Sequence, residues 1–269
     1  MQSGISFSLR AMQKCLADVE DLLDRLYIAA EGAGLRQEDR RKAWEVAAML
    51  EEIERAVSRF SHRSLLLLVD AAAGKSYVGL LAAKLVLDAS GRHASVITIE
   101  RDPERVEASL RATERLGSRI PVECREASVE QAEAWPRQPS IVTALHACGD
   151  AADAIIDRAI ASEARTLLLV PCCTSDAVTA SSQAHAHAIA LGIPRHAPVR
   201  RRFIQSVIDA ERTWRLEAAG YETEVIEFVA PTITPHNLLW RARLVREPQR
   251  MAAAKNARTN LMAARINSL

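Results

Sequence analysis

Leu65 to Gly79 reads LLLLVDAAAGKSYVG, and the fold is decided there. Five consecutive apolar residues, Leu65 to Val69, describe a strand with no wet face, which belongs in the middle of a covered parallel sheet. Asp70 ends the run. The small residues Ala71, Ala72, Ala73 and Gly74 let the backbone turn tightly, and a helical pattern from Lys75 onward presents free amides at the turn. A strand, a small-residue turn and a helix together make a nucleotide-type site. The acid selects among nucleotides, because a carboxylate at a strand tip repels phosphate and accepts hydrogen bonds from an ammonium group.

S-adenosylmethionine carries that ammonium and no phosphate, so it is the expected cofactor. Two other readings stand beside it. AAAGKS matches the second half of a phosphate-binding loop, but the first glycine of that motif would fall at Val69, and the later apolar run Ser140 to Leu145 ends in His146 rather than a magnesium-binding Asp. The other is an ordinary tight turn between strand and helix.

Around this stretch the chain alternates strand and helix. A second strand, Ala94 to Ile99, ends in Glu100, where an acid reaches the ribose hydroxyls of a nucleoside bound over the first turn. Asp102-Pro103 starts the helix Glu104 to Leu116, and Ile120 to Cys124 is a short third strand followed by Glu126, Ala127 and Ser128. The fourth strand, Ser140 to Leu145, leads into His146, Ala147, Cys148, Gly149 and Asp150; the fifth, Arg165 to Val170, leads into Pro171, Cys172 and Cys173. Two helices are expected between Ser175 and Gly220. Tyr221 to Val229 and Leu238 to Val245 then form a hairpin that supplies an antiparallel partner. The expected fold is therefore α/β, a Rossmann-like seven-stranded sheet with its last strand antiparallel. Its expected organisation is an N-terminal helical extension or lid over residues 1–62, a catalytic domain over 63–247 with a helical insertion at about 175–220, and a C-terminal helix over 248–269.

In the extension, Ala11 to Ala30 and Gln37 to Phe60 have helical apolar spacing. These helices read as a lid packed on the sheet, as a dimer contact, or as a wall of the substrate pocket. A formal charge of +1 gives no global argument for a nucleic-acid or membrane partner, and no apolar run approaches the ~20 residues that cross a bilayer. Five cysteines without disulfide-framework spacing are expected to be reduced thiols in a cytoplasmic protein. His146, Cys148, Cys172 and Cys173 reach one sheet edge, but their spacing is not that of a zinc site, so they read as pocket lining and no metal is expected. Arg200, Arg201 and Arg202 read either as an anion contact or as a solvated helix start.

VDAAAGKSYVG, ALHACGD, VPCC and TPHNLL resemble, in order and spacing, the class I S-adenosylmethionine-dependent methyltransferases, and within them the branch that includes the eukaryotic tRNA 2'-O-methyltransferase acting on the acceptor stem. The resemblance runs from about Leu65 to Val245. It departs at Ala71 and Ala73, where glycine is usual, and at Thr174 and Ser175, where a histidine follows the double cysteine. It implies that Asp70 and Gly74 meet the methionine moiety, Glu100 the ribose and Ala127 the adenine, with His146, Ala147 and Cys148 the floor beside the methyl. Ala71, Ala72, Tyr77, Arg101 and Ser128 complete the expected cofactor set. His146 is the candidate base and Cys172 a candidate nucleophile. The expected partners are a methyl acceptor, RNA on the resemblance or a small molecule on the near-zero charge, and a second copy through the N-terminal helices. A noncatalytic binding protein on the same fold is the alternative.

Overall fold

The computed structural model describes residues 15–29, 34–172 and 176–263. Residues 15–23 are α-helical and wind on into a π turn, Asp24–Ile28; together they form α1. The start of this expected helix, Gly32, Cys173, Thr174 and Ser175 lie outside the described residues. The remaining elements are α2 (Gln37–Ser58), β1 (Leu66–Ala71), α3 (Tyr77–Ala82, continued by a π turn at Ala83–Asp88), β2 (Ala94–Glu100), α4 (Pro103–Leu116), β3 (Val122–Glu126), β4 (Ile141–Ala147), α5 (Ala151–Ala161), β5 (Thr166–Pro171), α6 (Ser181–Ala190), α7 (Ala197–Ala218), β6 (Tyr221–Glu227), β7 (Leu238–Leu244) and α8 (Pro248–Ala263).

The seven strands form one sheet in the order β3-β2-β1-β4-β5-β7-β6. β7 runs antiparallel between β5 and β6, so the hairpin is inserted and β6, rather than the antiparallel strand, takes the edge. The order reverses beside β1, which pairs with β2 on one side and β4 on the other. Such a switch point opens a crevice at the carboxyl ends of the strands.

β1 shows why the sheet is covered on both faces. Leu66 and Leu68 pack with the α1–α4 layer, around Val46, Leu50, Ile53 and Leu81, while Val69 and Ala71 pack on the other side with Ile155, Ile156, Leu216 and Trp240 of the α5 and α7 side. Period-two alternation sends successive residues into two different cores. Each fully buried leucine or isoleucine contributes about 1.5–3 kcal/mol relative to exposure. Charged groups fasten the outer layers. Arg212 of α7, fully buried, pairs with Asp153 of α5 at 2.8 Å. Burial pushes the Asp153 carboxyl up, but Arg212, Arg215 and the Thr179 N–H outweigh it and hold the group below its ordinary range.

α2 is tied to the sheet at three points. Arg92 donates to Val57 O at 2.6 Å, Phe60 O at 2.8 Å and Ser61 O, capping its carboxyl end. Glu52 pairs with Arg241 of β7 at 2.8 Å, and Glu45 meets His146 of β4. α2 therefore packs on the sheet and also overhangs the crevice.

β3 departs from expectation by two residues. The parallel register runs from Val96↔Val122 to Glu100↔Glu126, so Ile120 and Pro121 precede the strand and Glu126 belongs to it.

Candidate active site

Strand β1 delivers Asp70 into the crevice almost fully buried, at 2% exposure. Its Oδ2 accepts from the Gly79 N–H at 2.8 Å. This close approach requires glycine: a Cβ at position 79 would lie 3.0 Å from Thr98 Cγ2 and 3.1 Å from Asp70 Oδ2. Burial pushes the Asp70 carboxyl up to about 7; the Gly79 N–H pulls it down, and the neighbouring Glu100 charge pushes it further up.

The turn after β1 adopts left-handed backbone at three alternate positions, Ala72 (φ 52°), Gly74 (φ 59°) and Ser76 (φ 58°). Glycine is therefore wanted at 72, 74 and 76, and the departures that matter are Ala72 and Ser76 rather than Ala71 and Ala73. Glu100, also buried, closes the turn. One carboxylate oxygen accepts from Gly74 N–H at 2.7 Å, the other from Arg101 and Asp102 N–H, both at 3.1 Å.

Two clefts of about 170 Å³ each flank this turn. The first is lined by Asp70, Gly74 and Tyr77 with three cations, Lys42, Lys75 and Arg105. The second is lined by Glu100, Arg101, Ala127, Ser128, Cys148 and Asp150, among others. Ala72, Arg105 and His146 line both, so the clefts adjoin. Ten of the twelve expected cofactor residues thus reach one crevice. Ala71 and Ala147 do not: both are fully buried in strands, where their side chains fill the core.

Tyr77 forms the cleft roof with two groups from the helical front. Its ring meets Tyr27 edge-on at 4.6 Å between centroids, and Lys42 Nζ sits 4.8 Å from its centre. Tyr27 donates to Lys75 O at 2.7 Å. Burial lowers the Lys42 ammonium from its ordinary value, against the pull of Glu45 and Asp39.

His146 lies within β4 rather than after it. The β4–β5 register breaks between Leu145 and Ala147, making His146 the extra residue of a β-bulge with φ 62°. A bulge re-aims the side chain it carries, and a non-glycine residue at positive φ is retained at a cost in strain. Glu45 Oε1 lies 3.0 Å from His146 Nε2.

Two of the cysteines depart from the expectation of reduced thiols. Cys148, after β4, and Cys172, after β5, are joined as a disulfide with their Cα atoms 5.4 Å apart, because neighbouring parallel strands bring them side by side at the sheet edge. Cys172 in this bond has no thiolate to offer as a nucleophile. Cys15 and Cys124 are free. Arg200, Arg201 and Arg202 stand at the start of α7 and line neither cleft.

Sequence reasoning missed Lys42, Glu45, Lys75, Arg105 and Asp150. Lys75 stood inside the deciding stretch and was legible there. Lys42 and Glu45 looked like ordinary members of a charged helix face, with no local signal that α2 overhangs the crevice.

The strand order and the crevice at its switch point define a nucleotide-binding α/β protein of the methyltransferase type. A family model described as a methyltransferase domain matches residues 41–180, and the chain belongs to that methyltransferase family. The match begins inside α2, earlier than the resemblance read from Leu65 onward. No curated protein matches the chain. Among solved structures, the C-methyltransferase domain of the citrinin polyketide synthase shares its fold, with a TM-score of 0.52 and 12% identity over 78% of this chain and 54% of that one. Magnesium protoporphyrin IX methyltransferase of Synechocystis PCC 6803, crystallised with S-adenosylhomocysteine, has a TM-score of 0.47 and 15% identity over 84% of this chain and 93% of its own. A Podospora anserina methyltransferase, also with S-adenosylhomocysteine, has a TM-score of 0.48 and 11% identity over 90% and 96%. Among the described residues no helix is long and apolar enough to cross a membrane.

Proposed function

We propose that the chain transfers a methyl group from S-adenosylmethionine to a nucleophilic heteroatom of its acceptor. The observation that carries the reading is the pair of joined clefts. One offers a buried carboxylate beside three cations, the complement of an α-amino acid zwitterion; the other offers Glu100 and the Ala127–Ser128 segment, the complement of a nucleoside. The turn between them has room for the cofactor, since a Cβ at Gly74 would have nothing within 4 Å.

In this reading Asp70 takes the ammonium, Lys42, Lys75 and Arg105 take the carboxylate, and Glu100 takes the ribose. When bound, S-adenosylmethionine supplies a methyl group already activated on a sulfonium. The chain's own work is alignment and exclusion of water, for which Tyr77 and α2 form the roof. His146, lining both clefts, takes the acceptor's proton.

RNA is the acceptor implied by the resemblance to the tRNA 2'-O-methyltransferase branch. A small apolar acceptor is the second reading. It is favoured by a cavity of about 440 Å³ lined by Trp44 and Ala48 of α2 and by Phe228, Val229 and Ile233 after β6, at the same carboxyl edge of the sheet. The test begins with calorimetry: S-adenosylmethionine and S-adenosylhomocysteine should both bind, and no heat at millimolar ligand sinks the cofactor reading. Methyl-labelled cofactor incubated with separated RNA, protein and metabolite fractions of a cell extract then identifies the acceptor. Label confined to RNA supports the first reading and label confined to metabolites the second.

A further inference from the structure

Glu45 is a buried carboxylate, 6% exposed, on a helix whose Glu38 and Glu54 face water. Among the described residues its close ion-pair neighbour is His146 Nε2 at 3.0 Å, and its charge also acts on Lys42. A carboxylate taken out of water with so few partners is costly, and a well-packed apolar side chain would serve α2 better if packing were its only task. Across the ring, His146 Nδ1 has no hydrogen-bond partner among the described residues. The imidazole is held by a bulge at positive φ and lines both clefts.

We propose that Glu45 is the positioning residue of His146: its carboxylate keeps the proton on Nε2 and leaves the Nδ1 lone pair for the acceptor. The inference rests on the reading of His146 as proton acceptor. In the transfer, the acceptor heteroatom forms its bond to the methyl group and yields its proton to Nδ1, while the electron pair of the broken carbon–sulfur bond stays on the donor sulfur. Glu45 then faces an imidazolium and stabilises it; the proton leaves to solvent after product release. The neutral ring has two tautomers, and the wrong one presents N–H where a lone pair is needed. Glu45 therefore acts on the acceptor step through His146, beside its pull on Lys42.

The test starts with the wild-type chain. Long-range ¹H–¹⁵N spectra of ¹⁵N-histidine-labelled protein at pH 8.5, with the His146 signal assigned from its absence in His146→Gln, should show the Nε2–H tautomer. The Nδ1–H tautomer overturns the proposal. Glu45→Gln should yield a mixture of tautomers, and Glu45→Asp, which keeps the charge one methylene further away, a spectrum between the two. An unchanged Glu45→Gln spectrum also overturns it. In methyl incorporation from labelled cofactor into the extract fraction that accepts it, Glu45→Gln should lose roughly 10–100-fold in kcat, a larger factor than its change in cofactor affinity by calorimetry. The double variant with His146→Gln should be no slower than His146→Gln alone. If His146→Gln itself keeps full rate, the reading of His146 fails; if His146→Gln is slow and Glu45→Gln is not, the positioning role fails while that reading stands.

Discussion

Replacing Asp70 with Asn removes a buried charge while leaving an oxygen that can still accept from Gly79 N–H. In the folded protein the Asp70 carboxyl sits at about 7, against 3.8 when unperturbed. Because the folded value is raised, the folded state holds this proton more tightly than the unfolded chain does. The contribution to stability is fully present below pH ~3.8 and is lost as pH rises to about 7. At ~1.4 kcal/mol per pH unit, burying the ionised group costs on the order of 4 kcal/mol at pH 8, about 2.5 kcal/mol of which is lost between pH 5 and pH 8. Asp70→Asn lacks this loss. Urea unfolding of both proteins from pH 5 to pH 8 should therefore show the variant gaining on wild type by about 2–3 kcal/mol across the range. The same substitution should weaken S-adenosylmethionine binding about 5- to 150-fold at pH 8, the worth of ~1–3 kcal/mol for a hydrogen bond to a charged group. The two affinities should converge at pH 5.5, where Asp70 of the free protein is already protonated. A stability difference that stays flat with pH refutes the buried-charge argument. Equal affinities at pH 8 remove Asp70 from the ammonium site.

Ala72→Gly relieves a left-handed alanine and should stabilise the chain by about 0.5–1 kcal/mol, whereas Gly79→Ala, whose Cβ meets Thr98 and Asp70, should destabilise it by about 1–3 kcal/mol; thermal unfolding reads both. Asp153→Ala leaves the buried Arg212 with only Asp209, 3.8 Å away, and should cost about 3–5 kcal/mol, while Asp153→Leu combined with Arg212→Met should recover much of that loss in denaturant unfolding. A non-reducing peptide map should return Cys148 linked to Cys172 with Cys15 and Cys124 alkylated, and reduction should cost about 3 kcal/mol for closing a loop of this length; alkylation of all five cysteines without reductant would remove the bond.

The sheet was readable from local sequence because Leu65 to Val69 and Leu167 to Val170 are apolar runs with no wet face, and because Asp70 and Glu100 end their strands at the carboxyl edge. β3 was misplaced because its residues alternate and only the pairing with β2 sets its ends. The bulge at His146 has no sequence mark, since a histidine at positive φ is a product of the neighbouring strand's register. Ala71 and Ala147 stand beside the site motifs in sequence, yet strand alternation turns them into the core. The partnership of Cys148 with Cys172 depends on two strands being neighbours, which chain order alone does not dictate. The overhang of α2 was hidden for a similar reason: Glu52 and Glu45 find their partners 189 and 101 positions away.

That overhang has a consequence for biogenesis. The clamp on α2 closes only when Arg241 is available, and Arg241 lies some sixty residues past the end of the family match. During synthesis, α2 and the leading strands leave the ribosome long before β7 does. The third tie on the crevice roof is therefore fastened last, when the carboxyl-terminal hairpin slots in beside β5. A nascent chain halted after β5 would carry Asp70, Glu100 and His146 with Glu52 paired to Arg55 alone, so the grip of α2 on the sheet should tighten late, when β7 arrives.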